Sequence, residues 1–295
     1  MGHHHNHDHS KDMPSNRLGW AFLLNFVFTI IEFIGGFLTN STAILADAVH
    51  DLGDSLSLGL AWILNKLGKK QANQHFTYGY KRLNLAGAFI NAVVLIAGSA
   101  WVLVEAIPRL WNPQMPVADG MIALAVVGIT VNGFAAYKLS EGKTLNERVI
   151  NWHLLEDVFG WVAVLIVGIV LLFVDWPILD PILSIGFTLF ILVNVLRNLW
   201  ATLKLFIQAT PDKKTYRQVA DALLELPHVA DLHHLHFWSL DGEEHVLTVH
   251  LVLTENLDIE TRSDLKQRID NVLAPYALSH TTVELENPDE ACRDN

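Results

Sequence analysis

Cysteine is almost missing from this 295-residue chain: Cys292 stands alone, which excludes an intrachain disulfide framework and a cysteine-rich zinc ribbon. Charge is also scarce. Only 17% of residues are charged against 51% hydrophobic, too apolar a balance for an ordinary soluble domain. Basic residues are lacking where a nucleic-acid or lipid-headgroup binder would need them: residues 209–295 carry seventeen acidic and seven basic side chains, or −10 of the total −11. Such a segment repels phosphate and attracts cations, so no nucleic-acid partner is expected. The His-Glu-x-x-His signature of a zinc hydrolase is absent, and no cleavable signal peptide is expected.

Histidine is plentiful instead. Of fifteen, five fall in the first nine residues, three in the middle (His50, His75, His153) and seven after Pro227. The opening His3-His4-His5-Asn6-His7-Asp8-His9 is interrupted by Asn6 and Asp8, unlike a purification tag. Residues 1–16 read as a natural, disordered cytoplasmic tail able to collect metal weakly.

A bilayer core of roughly 30 Å needs about 20 apolar helical residues. Six stretches qualify, near 17–39, 42–66, 82–107, 117–138, 148–174 and 178–206, so residues 17–208 read as a six-helix transmembrane domain. Lys66, Lys69, Lys70, Lys81 and Arg82 flank the second connection and Lys138, Lys143 and Arg148 the fourth, against Arg109 on the other side. The positive-inside rule then places both termini in the cytoplasm of a multi-pass membrane protein. Residues 209–295 read as helix, two strands around Asp241-Gly242, an amphipathic helix over 258–277 and a last strand at 281–285. The order αββαβ implies a small α+β domain of ferredoxin-like type.

The chemistry sits inside the spans. Asp47, His50, Asp51 and Asp54 lie in the second, His153, Glu156 and Asp157 in the fifth, and each ionisable group at bilayer depth costs several kcal/mol unless paired or coordinated. Both spans carry His-x-x-x-Asp, His50/Asp54 and His153/Asp157, which puts the two side chains of each pair on one helical face. Two such helices supply two imidazole nitrogens and two carboxylate oxygens, a complete tetrahedral shell for Zn²⁺ with no position left open for catalysis. A non-enzymatic carrier is expected. Asp47, Asp51 and Glu156 either line a hydrated path or simply face a cavity. Metal binding requires neutral imidazole and ionised carboxylate, so protons compete with metal, and proton-coupled export is the natural hypothesis.

With Ser41-Thr42-Ala43-Ile44-Leu45-Ala46-Asp47-Ala48-Val49-His50 and Asp54, His153 and Asp157, and Leu232-His233-His234-Leu235-His236-Phe237-Trp238-Ser239-Leu240, the chain resembles the cation diffusion facilitator family over essentially its full length. The resemblance implies a homodimer that exchanges cytoplasmic Zn²⁺ for H⁺, with Cd²⁺ and Co²⁺ as further candidate cargoes, in the inner membrane of a bacterium. It implies that His50, Asp54, His153 and Asp157 form the transport site, with histidine at position 50 going with zinc preference. It further implies cytoplasmic metal binding, with regulatory and dimerising roles, by His233, His250 and Glu286, with His280 and Cys292 as additions. The short Ser140-Glu141-Gly142-Lys143 replaces the His-rich loop of many animal members, and His75 stands alone in a loop that binds metal in some bacterial ones.

Overall fold

The computed structural model describes the backbone of residues 15–68, 70, 72–139 and 145–294. It describes their side chains too, except at 15–18, 20, 21, 65, 66, 68, 138, 139 and 145–153. The His-rich tail and the Ser140–Lys143 connection lie outside the described residues. The chain divides into two compact units, Met1–Lys66 with Gly87–Leu199, and Leu67–Ala86 with Trp200–Asn295.

The first unit is helical. Its long helices are α1 (Ser15–Thr39), α2 (Thr42–Gly68), α3 (Leu83–Ala106), α4 (Ala118–Leu139), α5 (Leu145–Phe173) and α6 (Leu179–Phe206), some of whose ends run into the second unit. Five of them, all but α2, contain segments long and apolar enough to cross a membrane. Spanning segments must satisfy their backbone internally, which is why these runs are helices. Helix α2 has the length but carries Asp47, Asp51 and Asp54.

Burial explains how α2 tolerates those carboxyls: every residue from Ser41 to Val49 is buried. Ala43 and Ile44 pack with Met121, Ala125, Trp161 and Val164 of α4 and α5. Ala46 and Val49 pack with Ala92, Leu95, Ile191 and Val195 of α3 and α6. Small residues permit these close approaches, as expected where helices associate by packing. A Cβ at Gly98 would lie 2.6 Å from Val49, and one at Gly128 would lie 2.3 Å from the Trp161 ring.

The start of α2 is fixed from two directions. Asn40 closes α1 in a left-handed conformation (φ 52°), with Ser41 N–H bonding Gly36 O and Asn40 N–H bonding Phe37 O, a Schellman closure. The carboxylate of Asp180, at the start of α6, then accepts from Ser41 Oγ (2.5 Å), Thr42 N (2.7 Å), Thr42 Oγ1 (2.7 Å) and Ala43 N (3.2 Å). Ser184 Oγ donates to Thr42 O. A residue of one helix thus caps another, satisfying amides that have no intrahelical partner.

The second unit holds a three-stranded sheet in the order β1-β2-β3, from β1 (Val229–Ser239), β2 (His245–Leu253) and β3 (Leu278–Glu286). β1 and β2 are antiparallel. β3 lies parallel to β2, the crossover being α8 (Ile259–Leu273). Helix α7 (Lys213–Leu224) precedes the sheet. Val219, Leu223, Phe237, Leu247, Val249, Leu251, Leu265 and Ile269 form its core. Asp212 and Asp258 cap the two helices through Thr215 N (2.9 Å) and Thr261 N (2.8 Å), and these amide bonds hold both carboxyls below the ordinary range.

Candidate metal centres

The helical period of α2 stacks His50 over Asp54, with Nε2 to Oδ2 3.7 Å. Helix α5 brings Asp157 to the same ring, 3.8 Å from Nε2. One ligand atom from each of these three residues lies within 4.8 Å of the others. Ligand atoms around a tetrahedral zinc with bonds of about 2.0 Å stand roughly 3.3 Å apart, so the two pairs made by His50 need to close by only about half an ångström. The Phe187 ring of α6 stands edge-on to His50 at 5.8 Å, an apolar wall on one side. His153 occupies the turn of α5 before Asp157, and its side chain lies outside the described residues.

Further carboxyls lie near this group, the buried Asp51 beside His50 among them. Asp47 and Glu156 line a common cavity of about 670 Å³ with Phe159, Gly160, Phe187 and Phe190. Glu32 of α1, which sequence reasoning missed, is completely buried. Neither Glu32 nor Asp47 offers an oxygen to any hydrogen-bond donor among the described residues. An ionised carboxyl at bilayer depth costs about 3 kcal/mol on an insertion scale, and clustering several compounds that through repulsion. The site therefore calls for cations. The signal for Glu32 in the sequence is that of a lone acid in an apolar run.

In the second unit, strand pairing sets His233 of β1 opposite His250 of β2. A bulge between His233 and His236, with His234 in a left-handed conformation (φ 49°), breaks the alternation of β1 there. Glu286, at the end of β3, reaches both rings: Oε2 lies 2.9 Å from His233 Nε2 and Oε1 lies 2.7 Å from His250 Nδ1. The segment after β3 returns Cys292, whose Sγ is 3.6 Å from His250 Nδ1, and Asp294, 3.5 Å from His250 Nε2. His233, His250, Glu286 and Cys292 thus form one group with metal-ligand reach. Burial alone would raise Glu286, but hydrogen bonds from His233, His250 and Cys292 outweigh it and hold the carboxyl below its ordinary range. An amide bond from Asp294 favours the Cys292 thiolate, yet burial and the neighbouring Glu286 carboxylate push the thiol up.

His280 does not join this group. It stands near the start of β3, six residues before Glu286, and its ring is edge-on to Tyr78 at 5.6 Å. A strand rises about 3.3 Å per residue, so six residues carry His280 far from Glu286 along β3. Tyr78 also meets Trp238 at 5.9 Å, and the Arg82 guanidinium lies 5.5 Å over the same indole. Lys81 pairs with Glu244, and Arg82 donates to the carbonyls of Leu205 and Phe206. The connection between α2 and α3 thereby packs on the sheet unit, with lone His75 exposed in it. His234 and His236 line a groove of about 490 Å³ with His250, Glu284 and Arg293.

Residues 19–207 match a family described as the cation efflux transmembrane domain, and residues 211–287 match the cation efflux protein cytoplasmic domain. Relatives include "Zinc transporter ZitB" of Pectobacterium atrosepticum, 35% identical over 291 residues, covering 96% of this chain and 88% of that protein. They also include the "Cadmium, cobalt and zinc/H(+)-K(+) antiporter" of Bacillus velezensis, 31% identical over 96% of this chain and 91% of the relative. The "Metal cation efflux system protein CzcD" of Cupriavidus metallidurans is 30% identical, with 97% and 90% covered.

Proposed function

This chain belongs to the cation efflux family, the cation diffusion facilitators, and on that premise we propose that it exports Zn²⁺ from the bacterial cytoplasm in exchange for protons. It is a transporter, not an enzyme. The observation that carries the reading is the convergence of His50, Asp54 and Asp157 within 4.8 Å on two helices of the apolar unit. His153, one turn before Asp157, is the fourth ligand, and α2 is the sixth span. Both termini are cytoplasmic and the working unit is a homodimer.

Coupling follows from the ligand chemistry. Neutral imidazole and ionised carboxylates take Zn²⁺ from a near-neutral cytoplasm; exposure to a more acidic exterior protonates them and releases it. Cd²⁺ and Co²⁺, named for relatives, share the donor preference and are secondary cargoes. The His233/His250/Glu286/Cys292 group binds cytoplasmic zinc as a regulatory ion, whose charge offsets the acidic balance of residues 209–295 and draws two such units together.

The test is Zn²⁺ uptake into proteoliposomes under an imposed pH gradient, with D54A and D157A beside the native chain. Native flux should follow the gradient, and both variants should lose roughly a hundredfold or more, since even outer-shell partners of a metal cost up to that. Flux that survives both substitutions would place transport elsewhere.

A further inference from the structure

The reading above gives protons to the metal ligands, but the helical unit contains a better-insulated place for one. Glu32 is 0% exposed, and neither of its oxygens finds a donor among the described residues. Its facing groups are acidic: Asp51 and Asp47 of α2, and further off Asp157 of α5. Helix α4, also packed on α1, offers only Asp119 and Tyr137 among its described titratable side chains, toward its two ends. Among the described residues, the charged groups that act on Glu32 are all carboxyls.

The same face of α1 is polar along its length. Asn25, Thr29 and Glu32 recur at helical spacing within an otherwise apolar run. Asn25 Nδ2 donates to Ser55 Oγ (2.9 Å) and to Asp51 O (3.3 Å), and Thr29 Oγ1 lies 3.3 Å from Ser55 Oγ. Hydroxyls that both donate and accept therefore line the α1/α2 seam between the part-buried Asn25 and the Glu32/Asp51 pair. Asp180, equally buried, receives four donors, whereas Glu32 receives none from an N–H or hydroxyl among the described residues.

We propose that Glu32 is a dedicated proton site for the exchange, separate from the zinc ligands and reached along Asn25, Ser55 and Thr29. An all-carboxyl group without imidazole suits a hard cation, and the smallest, H⁺, needs no coordination shell. This rests on the proton-antiport reading and names a second carrier for it. When zinc fills the His50 group, repulsion from Asp51 and Asp157 changes, and Glu32 exchanges its proton in the same cycle.

The experiment measures zinc and proton flux together, with a zinc indicator and a pH dye inside proteoliposomes, for native, E32Q, E32D and D54A proteins. Zn²⁺ binding by the purified full chain is measured alongside. E32Q, a near-isosteric and permanently neutral replacement, should bind zinc within about twofold of native and carry it down a zinc gradient. Its H⁺/Zn²⁺ ratio should fall by about one, and the stimulation of flux by a pH gradient should largely vanish. E32D should restore both, and D54A should abolish flux of either kind. A native ratio in E32Q overturns this inference and leaves antiport intact. Loss of zinc binding in E32Q, unrescued by E32D, also overturns it by making Glu32 structural. Absence of proton counterflow in the native protein overturns antiport itself, and this inference with it.

Discussion

The two ligand groups of this chain are built in opposite ways. The helical one takes His50, Asp54 and Asp157 from α2 and α5 and leaves them at 3.7–3.8 Å, with unsatisfied acids around them. The sheet one takes His233, His250 and Glu286 from three adjacent strands and closes them at 2.7–2.9 Å, with Cys292 at the edge. In the second group one carboxylate stands between two imidazoles, hydrogen-bonded at His250 Nδ1 and within ion-pair reach of His233 Nε2. In the first, acids outnumber bases and something positive has to come and go.

The largest expected effect breaks the frame of the helical group. Asp180→Ala leaves the buried Thr42 and Ala43 amides without their acceptor, and unsatisfied buried groups cost about 1–3 kcal/mol each. Thermal unfolding of the detergent-solubilised chain should shift down strongly, while the sheet group keeps its metal stoichiometry.

Glu286→Gln sharpens the contrast from the other side. Metal affinity at the sheet group should fall roughly ten- to a hundredfold by isothermal titration, while flux at saturating zinc persists. Its pH signature has a defined sign. The Glu286 pKa is lowered in the folded chain, so the stability it contributes is present above the ordinary glutamate value. That stability is lost as pH falls through the depressed folded one. The metal-free native chain should lose stability in acid over that window, and E286Q should not show that component.

The smallest effect concerns selectivity. His50→Asp replaces the only described imidazole of the helical group by a third carboxylate, and the Zn²⁺/Cd²⁺ flux ratio should shift toward cadmium by up to about tenfold. An unchanged ratio would mean that cavity shape rather than ligand type sets the preference.

Much of this was open to reading along the chain. Apolar runs of about 20 residues can only be helices in a bilayer, which made the five apolar helices legible, and an i,i+4 pair on a helix shares a face whatever surrounds it, which did the same for His50/Asp54. The expected strands ran through His233 and His250, while the choice of His233, His250 and Glu286 as ligands came from the family resemblance. Legibility stopped where contact required elements far apart in sequence. Nothing along the chain singles out Asp180, yet it caps α2 across 138 residues. Glu32 became significant only when α2 turned Asp51 toward it.

Composition and periodicity, then, determined the apolar helices, the α+β tail and the ligand types, because those depend on solvent and on local geometry. Tertiary packing decided which acids face one another and which imidazoles share a carboxylate. It also decided that His280 meets Tyr78 instead of the metal group, because distances between side chains on separate elements are set by how those elements dock.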